Sequence, residues 1–245
     1  MTKAEIQFVR SLADKRTRDS EHLFVAEGYK LVDEIRQSEL RIRTIYTTRN
    51  DVVGNNVVLI EKREMERISQ LNTASDILAV VEQPLYKLTQ QSLKAKLTLA
   101  LDGVQNPGNM GTIIRLSDWF GVENIICSRE CADLYNPKVV QATMGALLRV
   151  KVHYVDNLST LLSEARTSGV AIYGTLLDGN NIYQEKLSQE GIIVMGNEGR
   201  GLSDECRKTL SHKLFIPPYP ANAPTSESLN VAMATGIILS EFRRK

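Results

Sequence analysis

Cysteine is scarce in this 245-residue chain, with three thiols at Cys127, Cys131 and Cys206. An odd and small count excludes a disulfide framework and reads as reduced, intracellular chemistry. Cys127 and Cys131 have no second paired cluster, so no zinc site, and no metal of any kind, is expected. Histidine is equally sparse. His22, His153 and His212 are scattered along the chain, which argues against a serine–histidine–aspartate triad. There is no excess of charge either: 30 Lys and Arg against 29 Asp and Glu leave a formal net charge of +1. Attraction to a polyanion must then come from a local basic cluster rather than from the whole molecule. No apolar run approaches the roughly 20 residues needed to cross a bilayer. The first residues, Met1 to Glu5, are followed by charge rather than by the apolar core of a secretory signal. A soluble, cytoplasmic chain with no membrane partner is expected. Internal repeats and low-complexity tracts are missing too.

What is present is the raw material of a folded α/β chain. Hydrophobic residues make up 42% of it, enough for two modest cores. Ala4–Leu12 has a helical pattern, and a charged stretch follows from Asp14 to Asp19, carrying Lys15, Arg16 and Arg18. Leu23 to Gly28 leads into a helix with Leu31, Val32 and Ile35 on one face. Ile42–Thr47, Val57–Ile60 and Ile77–Val81 read as strands, with a helix at Glu61–Gln70. Gln83-Pro84 ends this part, because proline cannot donate to a ladder. The polar stretch Lys87–Lys96 reads as a partly helical connection. Two domains are therefore expected, a small α/β domain over 1–90 and a larger one over 91–245.

The larger part alternates strand and helix. Strands are expected at Leu97–Leu101, Asn124–Cys127, Val150–Tyr154, Val170–Tyr173, Gly191–Met195 and Lys213–Ile216. Helices are expected at Gly111–Phe120, Pro137–Leu147, Leu158–Thr167, Ser203–Leu210 and Ser228–Phe242. Apolar strands separated by helices predict a parallel sheet covered on both faces. Ligands of such sheets sit beyond the carboxyl ends of the strands, and three unusual segments fall there.

The first is Asn106-Pro107-Gly108-Asn109-Met110-Gly111-Thr112-Ile113-Ile114-Arg115, a turn running into a helix with Arg115 just over one turn in. A helix N-terminus and a forked guanidinium both suit a phosphate, although a surface βα loop explains the segment alone equally well. The second is Gly196-Asn197-Glu198-Gly199-Arg200-Gly201-Leu202. Its glycine order is neither the dinucleotide fingerprint nor a P-loop, which argues against a dehydrogenase or kinase. The third is Ser226-Glu227-Ser228-Leu229-Asn230-Val231-Ala232, where Ser226 or Ser228 is expected to cap the last helix. Asn230, in the first turn of an otherwise apolar helix, calls for a partner.

Taken together and in this order, the three segments strongly resemble the SpoU/TrmH family of RNA ribose methyltransferases, within the SPOUT superfamily. Tyr135 to Val140 and Thr143 to Leu147 are similar to its intervening helix and its Gly-Ala stretch. Lys15 to Arg18 and Phe24 to Gly28 look like the substrate-binding domain often fused to it. The resemblance implies an α/β fold whose C-terminal segment forms a trefoil knot, a homodimer through the C-terminal domain, and S-adenosylmethionine as cofactor. It also implies transfer of a methyl group to a ribose 2′-hydroxyl of ribosomal or transfer RNA.

Carried over residue by residue, it places Arg115, Asn109, Glu198, Ser228 and Asn230 in the catalytic site. Thr175, Leu176, Gly196, Asn197, Gly199, Ile216 and Leu229 are placed around the cofactor, and Lys15, Arg16 and Arg18 against RNA. Arg41, Arg43 and Arg49 are secondary RNA candidates. The family gives the 2′-proton to the arginine at position 115. A guanidinium resists deprotonation, so the alternative is that Arg115 grips phosphate or the developing oxyanion while the proton leaves by water. The chain departs from the family at Pro218, where methionine is usual, and at Pro220 and Pro224, in a loop lacking glycine. A non-catalytic RNA-binding protein that kept the fold is the rival expectation.

Overall fold

The structure is a computed structural model that describes residues 1–220 and 226–244. The chain opens with α1 (Lys3–Ser11), α2 (Lys15–Glu21), β1 (Leu23–Glu27), α3 (Tyr29–Arg36), β2 (Ile42–Thr47), β3 (Val57–Leu59), α4 (Lys62–Ile68) and β4 (Ile77–Glu82). It continues through α5 (Gln90–Leu93), β5 (Leu97–Asp102), α6 (Pro107–Trp119), β6 (Asn124–Ser128), α7 (Pro137–Thr143), β7 (Lys151–Val155) and α8 (Leu158–Thr167). The last elements are β8 (Ile172–Asn181), β9 (Gly191–Gly196), α9 (Asp204–Thr209), β10 (His212–Phe215) and α10 (Val231–Arg243). Two compact units result, one of residues 1–85 with 133–148, the other of 86–132 with 149–245.

The first unit is a mixed sheet in the order β1-β4-β2-β3, with β4 antiparallel to both its neighbours and β3 parallel to β2. Ile6, Val9 and Leu12 of the N-terminal helix and Met65 and Ile68 of α4 bury one face, against Leu23, Val25, Leu78 and Val80. The other face is covered too: Phe24 stacks on Tyr135 with ring centroids 4.7 Å apart. Burial on both faces is why β1 reads as a continuous apolar run rather than an alternating one.

Two hydrogen bonds fasten the segment 133–148 within this unit. Gln141 Nε2 donates to the Glu27 carbonyl at 2.8 Å, and the Arg18 guanidinium reaches Asp133 at 2.6 Å. The second bond corrects an expectation. Arg18 is 2% exposed and also donates to the carbonyls of Leu12 and Ala13, so its charge is committed inside the protein and not offered to RNA. The charged stretch around it is a helix, α2, started by Asp14, whose carboxylate accepts from Arg16 N–H at 2.7 Å. Apolar periodicity missed it because Arg18 is the residue it buries.

The second unit is a six-stranded, all-parallel sheet in the order β10-β8-β9-β5-β6-β7. Leu158, Leu162 and Ala165 of α8 pack on Ala100, Ile126, Ile172, Ile192 and Val194 of the strands. The order places a topological switch at the β9/β5 pair. From β5 the chain moves on to β6 and β7, whereas from β9 it moves to β10 on the far side of β8. All three cysteines are free and buried. Among the described residues no helix is long and apolar enough to cross a membrane.

Three boundaries that bear on the site differ from the sequence reading, and α7 ends at Thr143 rather than Leu147. Helix α6 begins at Pro107, four residues earlier than expected, because Asn106 caps it and proline occupies the first turn. Arg115 therefore lies more than two turns in, not just over one. Helix α10 begins at Val231, so neither Ser226 nor Ser228 caps it. Strand β8 extends to Asn181, and its pairing with β10 jumps from Gly174↔Lys213 to Asn180↔Leu214. Residues 175–179 are thus set off from the ladder.

Candidate active site

The site lies in the second unit, at the carboxyl ends of β5 and β9. These strands pair in register up to Asp102↔Gly196, so the segments that follow them emerge side by side at the switch point, where open parallel sheets bind ligands. Asp102 fixes one of these segments: its carboxylate accepts from both the N–H and the hydroxyl of Ser203 at 2.7 Å. Asn197 fixes the other. Its Oδ1 accepts from Gly199 and Arg200 N–H at 3.0 Å, and its Nδ2 donates to the Gly103 carbonyl at 2.7 Å. The glycine at 196 is required by space: a Cβ there would stand 2.3 Å from the carbonyl carbon of Gly201. Asp102 and Asn106 were not singled out from the sequence, although the Asn-Pro pair at 106–107 is a helix-start signal that could have located the second.

The three sequence segments meet in one hydrogen-bonded chain. Asn109 Nδ2 donates to Glu198 Oε1 at 2.9 Å, and Asn230 Nδ2 donates to Asn109 Oδ1 at 3.0 Å. The directions follow from chemistry. Asn230 caps α10 by accepting from Ala232 and Met233 N–H through Oδ1 (3.0 and 3.3 Å), which leaves its NH₂ to donate. An ionised carboxylate only accepts, which turns the NH₂ of Asn109 toward Glu198. Every donor thus points toward the carboxylate, and Asn106 N–H adds a bond at 3.3 Å. Partial burial would by itself push the Glu198 carboxyl up, but the bonds from Asn109 and from nearby backbone N–H groups outweigh it and hold the group below the ordinary carboxylate range. Glu198 is therefore an anion at neutral pH.

Beside this chain opens a cleft of about 530 Å³, within the range of small-molecule sites. Thr175, Leu176, Gly196, Asn197, Gly199, Ile216 and Leu229, the seven positions expected around a cofactor, all line it, as do Glu198 and Ser228. Thr175 and Leu176 reach it from the excursion in β8, not from a loop. With Met195, Leu202 and Ile238 they give an apolar wall beside the polar turn at 196–201, a combination that suits a flat heteroaromatic ring with a charged tail.

Arg115 is not brought into this network. It is exposed, has no hydrogen bond or ion pair among the described residues, and stands six residues beyond Asn109, about 9 Å along the helix axis. Ser228 is exposed on the cleft and does not cap α10. Pro218 is half-buried and Pro220 exposed, while Pro224 lies outside the described residues. Lys15 and Arg16 are exposed, with Lys15 paired to Asp19 at 2.8 Å. Among the described residues no cluster of three or more His, Cys, Asp or Glu could hold a metal ion.

Comparison with known proteins bears on both units. Residues 96–240 match the SpoU rRNA methylase family, and residues 3–92 match an MRM3-like substrate-binding domain. The 23S rRNA (guanosine(2553)-2′-O)-methyltransferase of Bacillus subtilis is 29% identical over 96% of this chain and 94% of its own. A TrmH-family structure from Porphyromonas gingivalis superposes with a TM-score of 0.89 at 37% identity, covering 99% of this chain and 98% of the other. An S-adenosylmethionine-bound rRNA methyltransferase from Sinorhizobium meliloti superposes with a TM-score of 0.87 at 29% identity, covering 99% and 95%.

Proposed function

The chain belongs to the SpoU rRNA methylase family, and from that premise we infer that it transfers a methyl group from S-adenosylmethionine to a ribose 2′-hydroxyl of structured RNA. The observation that carries this reading is the convergence of Glu198, Asn109 and Asn230, from three distant segments, beside a cleft lined by all seven expected cofactor positions. Ribosomal RNA is the substrate favoured over transfer RNA, because the Bacillus subtilis relative matched along nearly its whole length is named for 23S rRNA. Such a substrate places the chain in the cytoplasm.

Bound in the cleft, the cofactor supplies an electrophilic methyl on a sulfonium whose leaving thioether is neutral, so no metal is needed to polarise it. The protein's share is alignment. Holding the ribose oxygen in line with the methyl is worth roughly 7–11 kcal/mol of the barrier. Asn109, in the first turn of α6, and Asn230, the cap of α10, are stiffened for this by those helices and by each other, and Ser228 adds a hydroxyl at the cleft. Glu198 stays ionised, so it serves as an acceptor that orients Asn109 and is unsuited to donate a proton. Arg115, exposed and unpaired, meets RNA phosphate or the developing oxyanion, and the 2′-proton leaves through water. Lys15 and Arg16 carry part of the RNA in the first unit.

The homodimer belongs to the same reading. Trp119 at the end of α6 is 84% exposed and Met233 on α10 is 63% exposed, on two helices that pack together. A second copy would cover them and bring a partner surface to the free Arg115. A knotted C-terminus belongs to the same reading and rests on the family.

Titration calorimetry with S-adenosylmethionine, followed by mapping of 2′-O-methyl sites in 23S rRNA from cells with and without this gene, tests the reading. Cofactor binding and one site lost with the gene are expected. Tight RNA binding without cofactor binding would instead identify a non-catalytic RNA-binding protein. In a pH–rate profile, near-wild-type rates for Arg115→Lys would remove Arg115 from the chemical step.

A further inference from the structure

A second cleft, of about 400 Å³, lies wholly within the first unit. Its lining includes Arg10, Ser69, Gln70, Asn136 and Lys138, which come from the end of α1, the turn after α4 and the start of α7. Arg10 and Lys138 are exposed and have no ion pair or hydrogen bond through their side chains among the described residues. Three other cations of the unit are paired, Lys15 with Asp19, Arg18 with Asp133 and Arg49 with Asp51, whereas Arg10 and Lys138 both line the cleft.

The walls are held in place from beneath. The buried Glu27 carboxylate accepts from Ser69 Oγ at 2.7 Å and Gln70 N–H at 2.6 Å, and the Glu27 carbonyl accepts from Gln141 of α7 at 2.8 Å. One residue of β1 therefore positions both sides of the cleft. Two amides are left with unused capacity. Gln70 Oε1 is buried without a donor, which is uncommon enough to require an explanation. Asn136 uses Oδ1 to accept from Lys138 N–H at 3.0 Å, while its Nδ2 has no partner among the described residues.

We propose that this cleft takes one phosphodiester of the substrate RNA together with its ribose. The phosphate charge meets Arg10 and Lys138, and Gln70 Oε1 and Asn136 Nδ2 bond the sugar hydroxyl or base edge. A nucleotide unit supplies what the lining lacks, an anion for two unpaired cations and a donor for one orphaned acceptor. The assignment rests on the RNA methyltransferase reading but joins Arg10 of α1 to Lys138 of α7, 128 residues on in the sequence, outside the basic run at 15–18. Phosphate contacts of this kind position a substrate without reading its sequence.

The test is filter binding of unmodified, in vitro transcribed 23S rRNA across a salt series, with calorimetry of S-adenosylmethionine on the same proteins. Arg10→Gln/Lys138→Gln is expected to weaken RNA binding at least tenfold at physiological salt. It should lower the slope of log affinity against log salt by about 0.7–0.9, the loss of one neutralised phosphate. Cofactor affinity and unfolding midpoint should stay unchanged, and Lys30→Gln, outside the cleft, should leave RNA binding within about twofold. Gln70→Ala should weaken RNA binding without moving the salt slope. Wild-type affinity and slope in the double variant, with RNA still bound by the native protein, would overturn the cleft and leave the methyltransferase reading intact. Failure of the native protein to bind rRNA would overturn both. Variant-sensitive binding of free AMP with rRNA binding unmoved would replace the RNA strand by a soluble nucleotide.

Discussion

Glu27 in the first unit and Glu198 in the second carry nearly the same hydrogen bonds and behave in opposite ways. Each accepts from one backbone N–H and one side-chain donor. Glu27 is 3% exposed, and desolvation outweighs the bonds from Gln70 and Ser69, pushing its carboxyl above the ordinary range. Glu198 sits at an open cleft, and its bonds outweigh desolvation and pull the carboxyl below that range. The donors thus brace the fold in one place and hold an anion at neutral pH in the other. Solvent access and the further backbone N–H groups about Glu198 set the outcome together, because water screens the cost of charge only where it reaches.

Breaking the anionic side should have the largest effect. Asn109→Ala removes the link between Glu198 and Asn230 and should lower kcat/KM for rRNA methylation about 100-fold, or ~2.7 kcal/mol, with little change in the unfolding midpoint. A rate within threefold of wild type, measured with radiolabelled cofactor, would mean the chain of amides does not orient the reaction. Breaking the structural side should act on stability instead. Glu27→Ala leaves two donors unpaired beneath the first unit and should cost about 2–3 kcal/mol in urea unfolding, with cofactor affinity unmoved.

A finer contrast lies within the second unit. Asn230→Asp retains the oxygen that caps α10 but loses the amide that donates to Asn109. Stability should be held to within about 0.5 kcal/mol, while the rate falls roughly tenfold. Equal loss of both would make Asn230 a cap and nothing more.

The smallest effect is a difference of sign in pH dependence. Between the ordinary carboxylate value and the raised value of Glu27, the native state binds more protons than the unfolded one, so this residue makes stability fall as pH rises through that window. For Glu198 the unfolded state binds more protons between the lowered and the ordinary value, so its contribution is lost as pH falls through that window. Carboxyl carbon shifts of the two residues followed by NMR should titrate on opposite sides of the ordinary glutamate value. Identical midpoints would dissolve the contrast.

Much of this was legible in the linear chain where periodicity or spacing speaks. Five of the six strands of the parallel sheet, all but β8, and helix α8 fall within a residue or two of their expected places, since buried strands and amphipathic helices carry their burial in their composition. The seven positions that the resemblance placed around the cofactor line one cleft. The misreadings share a cause. Helix α2 was passed over because the residue it buries is Arg18, a cation neutralised by Asp133 from 115 positions away. The start of α10 was misplaced because Ser226 and Ser228 are its candidate caps by sequence while Asn230, a few residues on, caps as well as serine does, and only the folded backbone selects it. The excursion at 175–179 was invisible because it depends on which residues of β10 pair with β8.

By itself, then, the sequence determined the alternation of strand and helix, the apolar faces that build two cores, and the identity of the polar residues at strand ends. These are properties of neighbours a few positions apart, fixed by local geometry and burial. The tertiary structure alone decided the direction of each amide between Asn230 and Glu198, the opposite titration of Glu27 and Glu198, and the enlistment of residues 133–148 into the first unit. Each of those depends on distances between atoms remote in the chain and on where water is excluded, and neither quantity exists until the chain has folded.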